Sequence, residues 1–180
     1  LRREVRHVCD AGAPGMAFPG FASEWWKLSD DEIMRAAAAI REESAGRGAL
    51  ILNVTAQSTP VAVRQARAFA ALGCDALMCL PPFVVEASAR ESMAHLEAVL
   101  GATSLPHILQ YAASLTGLCL EPEQLWDLHR RYPHLTCVKV DFIPPGPAVT
   151  RLLESAAGTR ITCLVGFAGL HLPECLLRGA

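Results

Sequence analysis

Six short apolar segments recur along the chain at a nearly constant interval, and this repeat limits the possible folds more than any other feature. From 26 to 34 residues separate the start of one segment from the start of the next, and amphipathic helical stretches fill the intervals. A regular alternation of strands and helices predicts a parallel sheet covered by helices. The predicted strands are residues 15–20, 49–55, 76–82, 107–112, 135–141 and 161–166.

The intervening helices carry recognisable start signals. Ser29 followed three residues later by Glu32 forms a capping box, in which each residue bonds the other's backbone N–H. Thr59 and Pro60 read as an N-cap followed by proline at the first helical position. Glu121, which precedes a proline, opens a third helix. These signals predict helices that begin just after Ser29, Thr59 and Glu121.

The composition excludes several classes of protein. No apolar stretch approaches the roughly 18 residues of a membrane span, so we expect no membrane partner. The net charge of −2, with no basic stripe, argues against nucleic acid. The 7 cysteines form no Cys-x-x-Cys pair and the 6 histidines show no metal-binding spacing. We therefore predict a cytoplasmic protein with reduced cysteines and with neither a metal nor another cofactor.

Two folds fit alternating strands and helices: an open doubly wound sheet and a (β/α)8 TIM barrel. No Gly-x-Gly-x-x-Gly or Gly-x-x-x-x-Gly-Lys loop follows a strand, which disfavours the nucleotide-binding open sheets. A full barrel has eight strands and about 250 residues. We predict that residues 1–180 form a single partial barrel of about six strands, without its first strand and without its last strand and helices. Alternatively, such a fragment leaves an open apolar edge and is inactive or insoluble alone.

Lys139 is the residue that most strongly suggests chemistry. It is one of two lysines and lies within an apolar predicted strand, where a charged amine must be paired or chemically used. Asp141, two residues on, could be its structural partner. Alternatively, a neutral lysine amine attacks a carbonyl to form a Schiff base. Tyr111 ends the preceding strand and could transfer the protons that imine formation requires, or it could be a core residue whose hydroxyl bonds a neighbour.

Three segments, in their order and spacing, resemble the dihydrodipicolinate synthase/N-acetylneuraminate lyase family of class I aldolases. They are Gly-Phe-Ala-Ser-Glu at 20–24, Tyr-Ala-Ala-Ser-Leu-Thr-Gly at 111–117 and Val-Lys-Val-Asp at 138–141. In that family a Gly-Thr-Thr-Gly-Glu-like loop binds the substrate's carboxylate, and a Tyr-Asn-x-Pro-x-x-Thr-Gly-like segment supplies a catalytic tyrosine. A lysine in an Ile-Lys-Glu/Asp-like strand forms the imine with pyruvate or another 2-oxo acid.

The resemblance implies that Lys139 is the nucleophile and Tyr111 the acid/base. The residues that it implies for substrate binding are Phe21, Ala22, Ser23, Phe83, Leu115 and Gly166. Several of them depart from the family pattern. Phe21 and Ala22 replace the two hydroxyl residues of the carboxylate loop, and Phe83 replaces a tyrosine of the proton relay. Leu115 replaces an arginine that binds a second substrate's carboxylate, which disfavours an acidic co-substrate.

The resemblance therefore implies a Schiff-base-forming lyase, aldolase or hydratase whose small-molecule substrate is pyruvate or another 2-oxo acid. It also implies a homo-oligomer, either a dimer or a tetramer. The alternative is a non-catalytic barrel that binds a 2-oxo acid, or that has a structural or regulatory role, because the loop hydroxyls and the relay tyrosine are absent.

Overall fold

Six parallel strands form one curled sheet that is part of a (β/α)8 barrel, as the repeat predicts. The computed structural model describes residues 1–54, 56–84, 87–112, 120–156 and 161–180. Each strand pairs with the next in chain order, from β1 to β6. The strands are β1 Gly15–Phe18, β2 Ala49–Val54, β3 Ala76–Cys79, β4 His107–Tyr111, β5 Leu135–Val140 and β6 Thr162–Val165. The first five begin at the predicted residue, and β6 begins one residue later.

Helices alternate with these strands in the described part of the chain. They are α1 Arg2–Asp10, α2 Asp30–Ser44, α3 Thr59–Leu72, α4 Ala89–Leu100, α5 Pro122–Arg131, α6 Gly146–Ser155 and α7 Leu172–Leu177. Ser29 and Glu32 form the predicted capping box of α2. The prediction for α3 was wrong by one residue, because Ser58 is its N-cap and Thr59 is already helical. Among the described helices, none combines the length and the apolar character needed to traverse a lipid bilayer.

The hydrophobic core lies between the sheet and the helices. Leu52 pairs with Leu77 across β2 and β3, and both side chains are fully buried on the helix-facing side. Val138 and Val140 of β5 are also fully buried on that side. Burying such side chains contributes about 2 kcal/mol each, so this layer is a main source of stability.

The opposite face, which lines the inside of the barrel, carries polar side chains near the carboxyl ends of the strands. Gln110 of β4 pairs with Lys139 of β5, and these two side chains share the inner face because residues alternate along a strand. Asn53 of β2 lies on the same face and pairs with Met78 of β3, the strand between β2 and β4. Active sites of βα barrels lie at the carboxyl ends of the strands, so this polar row marks where a site is expected.

His107 is a buried titratable group at the opposite end of the sheet, where β4 begins. Its side chain is fully buried, its Nδ1 lies 2.7 Å from the carbonyl oxygen of Leu105, and its Nε2 has no hydrogen-bond partner in the described part of the chain. Burial lowers the pKa of His107 to about 4, because the imidazolium would lose its hydration. The folded protein therefore holds this ring neutral.

We expect the free energy of unfolding to fall as the pH drops from about 6.5 to about 4, because the unfolded chain protonates His107 first. Because the pKa of His107 is lower in the folded state, its contribution to stability is fully present above about pH 6.5 and is lost as the pH falls to about 4. The loss from this one residue is about 3 kcal/mol. Urea unfolding at several pH values measures it, and His107→Leu should flatten the curve in that window. An unchanged pH dependence in the variant would contradict this assignment.

Candidate active site

Lys139 extends from the inner face of β5 into a cavity at the carboxyl ends of the strands. Its side chain is 28% exposed, and its neighbours in register are Gln110 of β4 and Leu164 of β6. The cavity has a volume of about 340 Å³. Its lining residues are Ala17, Pro19, Gly20, Phe21, Ala22, Ser23, Met78, Gln110, Lys139, Asp141, Phe167 and Ala168. Among these described residues, Lys139 and Asp141 are the charged ones.

Asp141 forms an ion pair with Lys139, so the pairing that the sequence allowed is confirmed. Lys139 Nζ donates a hydrogen bond to Asp141 Oδ2. The Asp141 side chain is only 5% exposed. Gln110 Nε2 donates to the same Oδ2 at 2.8 Å, and the backbone N–H of Phe167 donates to Oδ1 at 3.3 Å. The carboxylate is therefore bonded on both oxygens and directed at the lysine.

Asn53 extends the polar row away from the lysine. Its Nδ2 donates to Gln110 Oε1 at 3.5 Å, which is a long hydrogen bond. Its Oδ1 is buried and has no hydrogen-bond partner within the described residues. A buried acceptor without a partner is costly, so its presence in a folded protein needs an explanation, and a functional role is one. The row Asn53–Gln110–Asp141–Lys139 thus draws its members from three strands, β2, β4 and β5, with Asp141 directly after the last of them.

Tyr111 lies on the other side of the sheet, which corrects the expectation that its phenol stands beside Lys139. The strands β4 and β5 are neighbours as predicted, but Tyr111 pairs with Val140, and its side chain packs under the helices. Its hydroxyl donates to the carbonyl oxygen of Leu120 at 2.7 Å, and its ring lies 4.8 Å from that of Phe142. The structure therefore shows the alternative, a core tyrosine with a satisfied hydroxyl.

Gln110, like Asn53, is a site residue that the sequence reasoning missed. It lies one position before Tyr111 and faces the cavity beside Lys139. A signal was present in the sequence. The family pattern Tyr-Asn-x-Pro-x-x-Thr-Gly spans eight residues, and counting back from Thr116 and Gly117 puts its tyrosine at position 110. This chain therefore has an amide where the pattern has a phenol.

The loop after β1 meets the same cavity, as predicted. Phe21, Ala22 and Ser23 form a short 3-10 helix, and all three line the cavity. The first N–H groups of a helix have no acceptor within it, and in this short helix those are the N–H groups of Phe21 and Ala22. The Ser23 hydroxyl is a further donor, since Ser23 is exposed at the cavity.

The remaining predicted substrate-binding residues occupy different positions. Phe83 packs against the loop, with its ring centroid 5.7 Å from that of Phe21, and does not line the cavity. Its backbone N–H donates to Gln57 Oε1 at 2.7 Å. Gly166 is buried directly against the Asp141 carboxylate. Leu115 lies outside the described residues. No group of three or more potential metal ligands occurs among the residues that the structure describes.

Comparisons with known proteins identify the family of the chain. Residues 1–179 match the sequence model of the Dihydrodipicolinate synthetase family. A 4-hydroxy-tetrahydrodipicolinate synthase of Corynebacterium aurimucosum is 30% identical over 175 residues, which are 96% of this chain and 55% of that protein. A probable 5-dehydro-4-deoxyglucarate dehydratase of Methylobacterium radiotolerans is 33% identical over 165 residues, 92% of this chain and 52% of that protein.

A solved structure shows the same fold. The 4-hydroxy-tetrahydrodipicolinate synthase of Methylacidiphilum fumariolicum superposes with a TM-score of 0.92 at 22% identity, over 100% of this chain and 59% of that one. The fold and the site thus define a class of protein: a parallel βα barrel with a lysine at the carboxyl end of one strand. The chain belongs to the dihydrodipicolinate synthetase family. It spans about half the length of the curated relatives that it matches.

Proposed function

We propose that this chain carries the imine-forming site of a lyase or aldolase that acts on pyruvate or another 2-oxo acid. The observation that supports it most is the position of Lys139, whose amine enters a cavity at the carboxyl end of a barrel strand in a member of this family. There the amine would attack the 2-oxo carbon and form a protonated imine, which withdraws electrons from the adjacent carbon–carbon bond. The chain spans about half the length of its curated relatives, so the activity of the whole protein is part of this proposal.

The cavity favours a small substrate with a single carboxylate. The loop N–H groups of Phe21 and Ala22 and the hydroxyl of Ser23 can hold one carboxylate near Lys139. Beyond Lys139, the described lining offers no second cation, and Phe21, Met78 and Phe167 make it largely apolar. A second carboxylate would therefore lose its hydration without gaining a charged partner. The assembly of the chain as a homo-oligomer, and its assignment to one partial barrel domain, stay predictions.

Trapping the imine tests the proposed function directly. The intact protein is incubated with pyruvate and sodium borohydride, digested, and analysed by mass spectrometry for the modified lysine. We expect a reduced pyruvate adduct on Lys139 that saturates with pyruvate concentration. The chain's other lysine is a built-in control, because Lys27 is exposed and paired with Glu24 at 2.5 Å outside the cavity.

The outcomes separate a specific site from general amine reactivity. Saturable modification of Lys139, with Lys27 unmodified, supports the proposal. Equal modification of both lysines, or an unmodified Lys139 when another family member is trapped in parallel, contradicts it. Substituting 2-oxoglutarate for pyruvate tests the carboxylate argument, and weaker trapping is expected because the second carboxylate has no cation in the described lining.

A further inference from the structure

Asp141 is a buried carboxylate in direct contact with the amine that the proposed function makes reactive. Burying a carboxylate costs several kcal/mol unless it is paired and hydrogen-bonded, and here Lys139, Gln110 and the N–H of Phe167 supply those partners. We propose that Asp141 is the catalytic residue that moves protons during imine formation at Lys139. This inference rests on the proposed function and names the acid/base of the same site.

The other described groups around the cavity do not fit this role. Gln110 occupies the neighbouring inner-face position, but an amide does not ionise near neutral pH, and neither does the hydroxyl of Ser23. Tyr111 has its phenol on the helix-facing side, bonded to Leu120. Apart from Lys139 itself, Asp141 is the ionisable side chain of the described lining. Proton transfer at the amine therefore falls to Asp141.

The surrounding bonds hold the carboxylate in a fixed orientation. Gln110 Nε2 donates to the oxygen that also accepts from Lys139, and the N–H of Phe167 donates to the other oxygen. Gly166 lets the carboxylate approach the backbone closely, because a side chain there would overlap it. A proton-transfer group that is already aligned with the reacting atom needs little reorganisation during the reaction.

One carboxylate is enough to balance the protons of imine formation. Asp141 takes a proton from the Lys139 ammonium, which leaves a carboxylic acid and a neutral amine. The nitrogen lone pair then forms a bond to the 2-oxo carbon while the carbonyl π electrons move to oxygen. A proton passes from nitrogen to that oxygen to give the neutral carbinolamine. Asp141 returns its proton to the hydroxyl, the carbon–oxygen bond breaks, and water leaves as the nitrogen lone pair completes the protonated imine.

The test compares the rate of borohydride-trapped adduct formation on Lys139 in the intact wild-type protein and in Asp141→Asn. We expect the variant to be slower by a factor of about 10² to 10⁴, the usual contribution of a general acid/base. Asp127→Asn is the matched control, because Asp127 is an exposed aspartate of α5 that pairs with Arg130 away from the cavity. Tyr111→Phe is measured alongside as the rival acid/base. Circular dichroism and urea unfolding verify that each variant is folded.

A second variant separates proton transfer from positioning. In Asp141→Ala, added formate should restore the rate in proportion to its concentration, because a small carboxylic acid can enter the vacated space and carry the proton. A carboxylate that only positioned Lys139 would give no such rescue. A rate for Asp141→Asn equal to or above the wild-type rate, or a larger loss in Tyr111→Phe, would overturn the proposal while leaving Lys139 as the nucleophile. Absence of any adduct in wild-type protein would instead overturn the proposed function itself.

Discussion

Replacing Lys139 by methionine is expected to abolish the trapped adduct and turnover, and to lower the free energy of unfolding by about 2 kcal/mol. Methionine keeps much of the length of the lysine side chain but has no amine to attack a carbonyl. The stability loss arises because the Asp141 carboxylate, 5% exposed, would be left buried without its cationic partner. The general figure for breaking a buried pair is larger, but Lys139 is 28% exposed and solvent screens part of the interaction.

A double variant distinguishes the two effects of this substitution. In Lys139→Met with Asp141→Asn, both charges are gone, so we expect most of the lost stability to return while the adduct stays absent. The double-mutant cycle, measured by urea unfolding, reports the coupling between the two side chains. Adduct formation in Lys139→Met would show that the reactive amine is elsewhere. A coupling close to zero would show that the ion pair contributes nothing to folding.

The fold was predictable because the apolar repeat marks the strands whose side chains are buried under the helices. Segments such as Leu50–Leu52 and Val138–Val140 supply buried side chains to the helix-facing side of the sheet, so strand starts follow from the apolar pattern. Helix starts followed from local capping chemistry, which needs only a few neighbouring residues. The error at Thr59 was of one residue, because the adjacent Ser58 can equally serve as the N-cap.

The candidate site was only partly predictable, because a strand alternates its side chains with a period of two. When the motif at β4 is placed one position too late, it selects Tyr111 instead of Gln110. Tyr111 lies on the helix-facing side of the sheet, whereas Gln110 faces the cavity. Lys139 was identified correctly as a cavity residue, since a lysine between valines stands out in any offset. The contact of Asp141 with Gly166 joins the ends of two strands, and no local pattern of residues encodes it.

Gly166→Ala is expected to destabilise the fold by about 3 kcal/mol and to slow imine formation about 100-fold. The backbone at Gly166 has φ −81° and ψ −158°, which alanine adopts without strain, so the effect is one of space. An added Cβ would lie 2.6 Å from Asp141 Cγ and 2.8 Å from the carbonyl oxygen of Val140. The Val140 carbonyl belongs to the sheet and accepts from the N–H of Gly166, so the carboxylate has to give way. A shift of Asp141 would misalign it with the lysine and weaken its bond from Phe167.

Two comparisons identify Asp141 as the group that is displaced. Gly20→Ala is the matched control for stability, because a Cβ there meets nothing within 4 Å, and its free energy of unfolding should change by less than about 0.5 kcal/mol. Gly166→Ala should also cost less stability in the Asp141→Ala background, since the overlap with the carboxylate is gone and only that with the Val140 carbonyl remains. Equal destabilisation in both backgrounds would assign the clash to the carbonyl alone. The absence of a side chain at position 166 would then serve the sheet and not the placement of the proton-transfer group.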